Sequence, residues 1–572
     1  MFKRFIDFIR RREPQELFLV TFTLILTALI GVQVESLGYT RALADATSNL
    51  MLARFVFDSL TPGLSQIGFW NQLLHLVLAP FTQVPWLFTT GLAGLFVIYP
   101  MYILSVVLLY RICLKLTKNS PLSLAGAMFY VLNPYISFYA NTPMSEVMFM
   151  GFVIFTTHAM LSWLEEYKLR YLLQASIWIS FASISRFEGL MLIPFCFLVI
   201  LVSQIAARRK GDYIRGLLLL FSLLAVCGLG FTLIHGYYFG GNPLAFASQG
   251  LGSYSTSTGG RAFSLPTFKF LVPFTQIVRA SLYQMGQWFL PLALVSGVLS
   301  LAISPRRKQL LVAYLLLASP LFFVFLSLST GRFTVDVPEI LSDQGTLFRN
   351  ERYALTWYPM VCVAAIMLAG ALQERSKRTW SLFLSRSFSS LFVIALFGFI
   401  VQDLYRVVRV EHFIPIRHNL QFSLRDGRSQ MNAALRAEYD FGKILIRRYG
   451  NDEFMMQAGL PLRTFIYEGN YRYYQAALVQ PWFYARWIYV SEYSYYEKAL
   501  ATLRINKDFT SYYTLVKKGP NEWLYKVNES AVRQALQRQG IDPNTAPSLN
   551  PGIHDWEPPT VDEADIAALS KP

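Results

Sequence analysis

The chain has 572 residues, of which 54% are hydrophobic and only 15% are charged, and its mean hydropathy is +0.37. This composition excludes an ordinary soluble protein and predicts a chain that crosses a membrane many times. The net charge of +16 is compatible with nucleic-acid binding, but the basic residues form short clusters between apolar segments. Such clusters indicate membrane topology, so we predict no nucleic-acid partner. The four cysteines lie within apolar segments, which favours packing over disulfides or metal ligands.

Eleven apolar segments approach the length of about 20 residues that a membrane helix needs. They lie at about 16–36, 87–112, 121–139, 146–164, 171–186, 189–207, 215–238, 287–304, 309–329, 354–372 and 387–404. An N-terminus inside the cell places the basic clusters that follow alternate spans on the cytoplasmic side, as the positive-inside rule requires. Because the number of spans is odd, the C-terminus is then predicted to lie outside the plasma membrane.

The domain organisation follows from a change of composition after residue 404. Residues 1–404 are predicted to form a transmembrane domain with an outer loop at 37–86. Residues 405–540 alternate strand-like and helical runs with short connections, which predicts an extracytoplasmic α/β domain. Its strands are expected within 443–449, 463–467, 485–491, 510–519 and 522–527. Residues 541–572 are rich in Pro, Asp and Glu and are predicted to form a flexible tail.

The outer loop carries the pattern on which the functional prediction depends. Apolar residues at helical spacing indicate an amphipathic helix: Leu43, Ala46, Leu50, Ala53 and Phe57. Asp45 and Asn49 are four residues apart and therefore share its other face. The Thr61-Pro62-Gly63 turn ends this helix. A second apolar run, which contains His75, is suited to lie flat on the bilayer surface.

Several short motifs follow one another along the chain. They are Asp45-Ala46, the pattern DSLTPG-Q-G between Asp58 and Gly68, Trp70 with Leu74-His75, TPMSE at 142–146, SRFEG at 185–189, ERYAL at 351–355 and GLPLRTFIYEGN at 459–470. These motifs resemble those of the GT-C superfamily, whose members are membrane glycosyltransferases. The ordered set is similar to the prokaryotic branch of family 39, the protein-mannosyltransferase-like enzymes. That branch usually has His where this chain has Asn49.

The resemblance implies an inverting hexosyltransferase of the plasma membrane. Its donor would be a polyprenyl-phosphate-linked monosaccharide, with mannose as one candidate, and its acceptor a protein, glycolipid or polysaccharide on the outer face. Such a transfer needs a base for the acceptor hydroxyl and cationic groups for the leaving phosphate. The resemblance assigns the base to Asp45, for which a solvated helix cap is the ordinary alternative.

Glu146 is predicted to bind the acceptor or, like Asp45, a divalent cation such as Mg²⁺ or Mn²⁺. An equally supported interpretation makes Thr142-Pro143 the cap and first residue of a helix whose dipole Glu146 complements. Arg186 and Arg352 are candidates for gripping phosphate, because a guanidinium fork suits its oxygens.

The remaining candidates for substrate binding each have an ordinary alternative. For Glu188 the alternative is a simple ion pair with Arg186. Tyr353 is a candidate because it directly follows Arg352. For His75 the alternative is a residue that packs at the membrane interface. Arg261 lies in a loop rich in Gly, Ser and Thr, which is typical of a mobile lid.

Two other functions stay open at this point. A lipid or glycan transporter usually places charges near mid-membrane and often shows repeated halves. Here the candidate charges gather at one predicted membrane face and the sequence shows no internal repeat. A non-catalytic scaffold of the same architecture is the second alternative, and Asn49 in place of His favours it.

Overall fold

A computed structural model describes residues 14–68, 71–244, 271–329, 350–376, 379–405, 426–491, 511–553 and 556–557. The chain forms two compact units. The first contains the described residues within Met1–Thr40, Phe69–Leu74 and Leu92–His418. The second contains Arg41–Gly68, His75–Gly91 and the described residues after Asn419. Most of the predicted outer loop therefore folds with the C-terminal part of the chain rather than with the transmembrane helices.

The described α-helices before residue 406 are α1 (Pro14–Ser36), α2 (Ala44–Phe55), α3 (Gln72–Thr82), α4 (Pro85–Thr90), α5 (Ala93–Thr117), α6 (Ser120–Leu132), α7 (Pro134–Ala140), α8 (Glu146–Glu166), α9 (Leu169–Ser185), α10 (Leu192–Ala206), α11 (Gly211–Ala225), α12 (Cys227–Gly240), α13 (Leu271–Met285), α14 (Phe289–Ile303), α15 (Arg307–Ser329), α16 (Tyr358–Arg375) and α17 (Thr379–Tyr405). Two 3-10 helices, Phe187–Met191 and Glu351–Trp357, lead into α10 and α16.

Seven of the described helical runs are long and apolar enough to cross a membrane, or up to nine if each of two bent pairs is one span. The pairs are α11 with α12, bent by 43°, and α13 with α14, bent by 107°. The prediction of a polytopic helical membrane protein is thus confirmed. The predicted span 287–304 corresponds to α14, the second half of the strongly bent pair.

The other two predicted spans, 121–139 and 171–186, are not among the described runs that are long enough to cross a membrane. The first is divided into α6 and α7, because Pro134 starts a new helix and the Asn133 side chain accepts hydrogen bonds from the backbone N–H groups of Tyr135 and Ile136. The second is α9, which has 17 residues. Apolar composition alone did not reveal this break, because the sequence is apolar on both sides of Asn133 and Pro134 and its average stays high.

Two helices form the buried centre of the first unit. α8 is apolar on all sides and packs against α5 and α9, while α16 packs against α14 and α6. A helix without a polar face is stable only when it is surrounded by protein or lipid, and these two are the most buried of the candidate spans. α1 and α17 are the least buried and keep most of their apolar side chains on the outside.

The C-terminal part of the second unit is an α/β domain, as predicted. Its elements are α18 (Asp426–Glu438), β1 (Ile444–Leu445), α19 (Asp452–Gln457), β2 (Phe465–Ile466), α20 (Tyr471–Val479), α21 (Pro481–Tyr484), β3 (Trp487–Ser491), β4 (Tyr513–Lys518), β5 (Glu522–Val527) and α22 (Glu529–Arg538). The five strands among the described residues have the order β2-β1-β3-β5-β4. β1 pairs in parallel with β2 and β3, whereas β5 is antiparallel to β3 and β4.

The predicted tail, residues 541–572, differs from the expectation over its described part. Ala546 and Leu549 are buried in the core of the α/β domain, and the Trp556 ring stacks on Tyr484 with 4.3 Å between the ring centroids. The Ser548 carbonyl accepts a hydrogen bond from Arg486. The many polar residues and prolines of this segment suggested a mobile chain, but a few apolar side chains are enough to attach it.

Candidate functional site

A buried ion cluster joins four of the residues predicted for substrate binding. The Glu146 Oε1 atom lies 2.8 Å from Arg186 Nη1 and 3.2 Å from Arg352 Nε. Arg186 Nη2 also lies 2.8 Å from Glu188 Oε1. Only 2% of the Glu146 side chain and 6% of the Arg186 side chain is exposed, so water screens these charges weakly. Residues scattered over more than 200 positions thus contact each other, while their role in substrate binding stays a prediction.

The ends of helices position these charges. Glu146 is the first residue of α8, Arg186 directly follows α9, and Arg352 lies in the 3-10 helix before α16. Gly189 permits the turn after Arg186, because a Cβ atom there would lie 2.5 Å from the Ala182 carbonyl carbon. That contact is closer than real Cβ atoms tolerate, which explains the glycine of the SRFEG motif.

The start of α8 differs from the prediction by three residues. Thr142-Pro143 was expected to begin the helix, but its first residue is Glu146 and its cap residue is Ser145. The Ser145 hydroxyl does not cap the helix. It donates a hydrogen bond of 2.9 Å to the Asn71 side chain and accepts one of 3.1 Å from Arg186. Neither residue was selected as a site residue from the sequence, although Ser145 lies within TPMSE and Asn71 follows Trp70.

The two arginines differ in their surroundings. Arg186 uses Nε, Nη1 and Nη2 in hydrogen bonds to Glu188, Glu146 and Ser145, and its guanidinium lies 4.8 Å from the centroid of the Tyr353 ring. The Arg352 side chain is 13% exposed, about twice as much as that of Arg186. A ligand therefore reaches Arg352 more easily, whereas Arg186 forms the interior of the cluster.

A divalent cation does not fit beside Glu146. The carboxylate already lies within 3.2 Å of two guanidinium groups, whose positive charges would repel Mg²⁺ or Mn²⁺. Over the described ranges, no group of three or more His, Cys, Asp or Glu side chains is arranged to hold a metal ion. The alternative in which Glu146 binds a metal is thus not supported by its surroundings.

Asp45 belongs to the second unit. It lies in the first turn of α2, where a carboxylate is favoured by the helix dipole, and it is half-buried. The predicted apolar face of α2 is present, since Leu43, Ala46, Leu50 and Ala53 are buried. Phe57 was wrongly assigned to that face, because α2 ends at Phe55 and the Phe57 side chain is exposed.

His75 is fully buried and contacts Asn49, the second polar residue predicted on the face of α2 that carries Asp45. Its Nε2 atom lies 3.0 Å from Asn49 Oδ1. Burial, with a smaller contribution from the positive charge of Arg448, lowers the pKa of His75 to about 3. The imidazole is therefore neutral at physiological pH and attaches α3 to α2. Direct contact between His75 and a substrate stays a prediction.

Two of the sequence motifs contact each other within the second unit, although about 400 residues separate them. Asp58 Oδ2 accepts hydrogen bonds from Arg54 Nε and from the backbone N–H of Leu462, each at 3.1 Å. Gln66 donates to the Gly469 carbonyl at 3.2 Å and accepts from the Tyr467 hydroxyl. The pattern DSLTPG-Q-G is therefore the surface to which GLPLRTFIYEGN binds.

Gly469 shows how closely these motifs approach. A Cβ atom at this position would lie 2.4 Å from the Tyr467 ring and 3.2 Å from Gln66 Oε1. The Asn470 side chain beside it donates a hydrogen bond of 2.9 Å to the Thr61 hydroxyl. The resemblance marked both motifs, but their pairing was not predicted because nothing in the sequence relates segments so far apart.

Arg261 lies outside the described residues. The candidates that the structure describes therefore divide into two groups. Glu146, Arg186, Glu188, Arg352 and Tyr353 form one cluster in the first unit. Asp45 and His75 belong to the loop part of the second unit.

Comparisons with known proteins agree with the resemblance inferred from the motifs. Residues 79–228 match the family model described as dolichyl-phosphate-mannose-protein mannosyltransferase, and this segment contains TPMSE and SRFEG. The chain is similar to the crystal structure of ArnT from Cupriavidus metallidurans bound to undecaprenyl phosphate, with a TM-score of 0.51 and 12% identity over 87% of this chain and 97% of that chain. The apo structure of the same protein gives a TM-score of 0.46 and 11% identity with the same coverage. No curated protein sequence matches.

Proposed function

We propose that this chain, which has the GT-C fold and a segment that matches the protein-mannosyltransferase family, is an inverting glycosyltransferase. It moves a monosaccharide from a polyprenyl-phosphate carrier to an acceptor on the outer face of the plasma membrane. The undecaprenyl phosphate bound in the ArnT structure supports a polyprenyl-phosphate carrier. The description of the matching family supports mannose as the sugar and protein as one acceptor.

The observation that carries the proposal is the buried cluster of Glu146, Arg186, Glu188 and Arg352. Such charges are expensive to bury, and a chain that only needs stability gains little from them compared with apolar packing. Charged groups held by burial and by specific charged partners occur preferentially at functional sites. Arg352, the more exposed of the two arginines, is the residue we assign to the phosphate of the donor.

In the reaction, each group has one limited role. Asp45 accepts the proton of the acceptor hydroxyl as that oxygen attacks the anomeric carbon. The bond between that carbon and the phosphate oxygen breaks, and the leaving polyprenyl phosphate keeps the electron pair. Arg352 stabilises the charge of this phosphate, since a guanidinium donates two parallel hydrogen bonds to its oxygens. Arg186 and Glu188 hold Glu146 and thereby the position of Arg352.

Replacing Arg352 is expected to weaken use of the donor. Arg352→Ala removes the charge that faces the phosphate, whereas Arg352→Lys keeps a charge but loses the planar fork. We therefore expect the Lys variant to retain more transfer than the Ala variant, with KM for the donor raised in both. Steady-state kinetics at varied donor concentration measure this order. Full activity of both variants would remove Arg352 from the site.

The proposed orientation has its own test. The distribution of basic residues supports an orientation in which the C-terminal α/β domain lies outside the cytoplasm. Protease added to sealed, right-side-out cells is expected to cleave this domain. Cleavage only after the cells are made permeable would show that the number or direction of spans is wrong.

The donor is tested directly by incubating the purified protein, in bilayer nanodiscs, with a panel of radiolabelled polyprenyl-phosphate sugars. Hydrolysis or transfer of one labelled sugar with release of polyprenyl phosphate supports the proposal. If every donor is untouched while a fluorescent polyprenyl phosphate crosses between the leaflets of vesicles that contain the protein, the transporter alternative is correct instead.

A further inference from the structure

We infer that Glu453 of the C-terminal α/β domain is a positioning residue for the loop helix α2. This inference rests on the proposed function, in which α2 carries the base Asp45. The α/β domain then has a defined role, because it fixes the rotation and the start of the helix that presents the base. All the contacts on which this depends lie within the second unit.

Glu453 contacts the loop on both sides of Asp45. Its Oε1 atom lies 2.7 Å from Nη1 of Arg41, four residues before Asp45. Its Oε2 atom accepts a hydrogen bond of 3.2 Å from the hydroxyl of Thr47, two residues after Asp45. The Glu453 side chain is 7% exposed, so this bridge is protected from water. A single carboxylate thus connects the residues before and after the proposed base.

Neighbouring contacts support the same helix. Asp452, the first residue of α19, lies near Ser48 on α2. At the far end of α2, the Phe55 ring stacks on Tyr467 with 4.4 Å between the ring centroids. α2 is therefore attached to the α/β domain at its first turn and its last. The first-turn attachment is the one next to Asp45.

This arrangement matters for catalysis because a base must lie within hydrogen-bond reach of the proton that it removes. A misplacement of about 1 Å costs up to about a hundredfold in rate. Isolated helices as short as α2, with 12 residues, are marginal in water, so the surrounding contacts decide where it starts. Glu453 supplies the only carboxylate that touches both Arg41 and Thr47 among the described residues.

The test uses two kinds of variant in the full-length protein. Glu453→Gln removes the charge that holds Arg41. Thr47→Val removes the hydroxyl bound to Oε2 at nearly constant volume, and Thr47→Ser restores it. Glu529→Gln is the matched control, because it removes a carboxylate partner of Arg486 in the same α/β domain. Each variant is measured for kcat, for KM of the donor that the wild type uses, and for hydrogen exchange of the α2 amides.

We expect kcat of Glu453→Gln and Thr47→Val to fall between about tenfold and a hundredfold with KM for the donor nearly unchanged. Thr47→Ser is expected to recover most of the loss. Exchange of the amides in residues 44–55 should become faster in Glu453→Gln but not in Glu529→Gln. A purely structural role would instead lower thermal stability and the active fraction while the kcat of the folded protein stayed normal, and this result would overturn the inference.

The two proposals fail in different ways. A wild type that transfers sugar from no donor in the panel contradicts the proposed function, while the exchange measurement still shows whether Glu453 holds α2. Unchanged exchange of α2 in Glu453→Gln overturns the positioning role even if the wild type is an active glycosyltransferase.

Discussion

Sugar transfer by the Asp45→Asn variant is expected to fall at least about a hundredfold, whereas its yield and thermal stability stay near those of the wild type. A general base typically contributes about 10²–10⁴-fold to the rate, and asparagine cannot accept the proton. The substitution of asparagine for aspartate conserves the size of the side chain. Asparagine is also tolerated at the start of a helix, where Asp45 lies half-buried. Initial rates with a radiolabelled donor, beside a thermal unfolding curve, measure both quantities.

Asp58 is the matched control for this experiment. Its carboxylate accepts hydrogen bonds from Arg54 Nε and from the backbone N–H groups of Leu462 and Arg463. Asp58→Asn leaves at least one of these donors without a charged acceptor, which costs about 1–3 kcal/mol of folding free energy. We therefore expect a lower unfolding temperature with near-normal activity of the folded fraction. If Asp45→Asn instead retains transfer while a well-folded Asp58→Asn or Glu146→Gln loses it, the base is a different carboxylate.

The Arg186→Ala variant is expected to lose most of its folded protein. The change removes the guanidinium that pairs with Glu146 and Glu188, whose side chains are only 2% and 4% exposed. Breaking a buried ion pair by removing one partner typically costs about 3–5 kcal/mol, because the remaining charge has lost its compensation. Such a loss is a large part of the total stability of an ordinary domain. Thermal unfolding in detergent and the yield of monodisperse protein measure it.

Arg170 provides the comparison, because its guanidinium lies 3.8 Å from Glu166 with both side chains largely exposed. Arg170→Ala is expected to leave the unfolding temperature unchanged, since exposed ion pairs contribute little. Adding Glu188→Gln to Arg186→Ala should recover part of the stability by removing one uncompensated charge. Equal unfolding temperatures of wild type and Arg186→Ala would show that Glu146 and Glu188 do not need the charge of Arg186 for compensation.

The position of the cluster residues at helix ends explains why they could be selected from the sequence, although the ion pair of Arg186 with Glu188 was the only pairing that it suggested. SRFEG and ERYAL stand at the boundary between apolar and polar sequence, and charges there are unusual enough to notice. From the sequence, Arg186 and Arg352 were both candidates for binding the phosphate. In the structure both arginines contact Glu146, which is the first residue of α8. Their surroundings differ because Arg186 also pairs with Glu188 and is less exposed.

The sequence by itself determined the features that depend on local composition. The membrane-crossing helices follow from apolar length, and the five strands of the α/β domain lie within the predicted runs because short apolar stretches there alternate with turn residues. The apolar face of α2 follows from the spacing of Leu43, Ala46, Leu50 and Ala53. Each of these signals lies within about 20 residues, where helix and strand geometry fix which side chains share a face.

Only the tertiary structure decided the contacts between distant segments. It placed Glu453 on Arg41 across 412 positions, paired DSLTPG-Q-G with GLPLRTFIYEGN, and buried His75 against Asn49. It also broke the predicted span 121–139 at Asn133 and attached residues 546–549 to the α/β core. These outcomes depend on which surfaces meet when the whole chain packs. The residues next to Glu453 in the sequence do not indicate that its partner is Arg41.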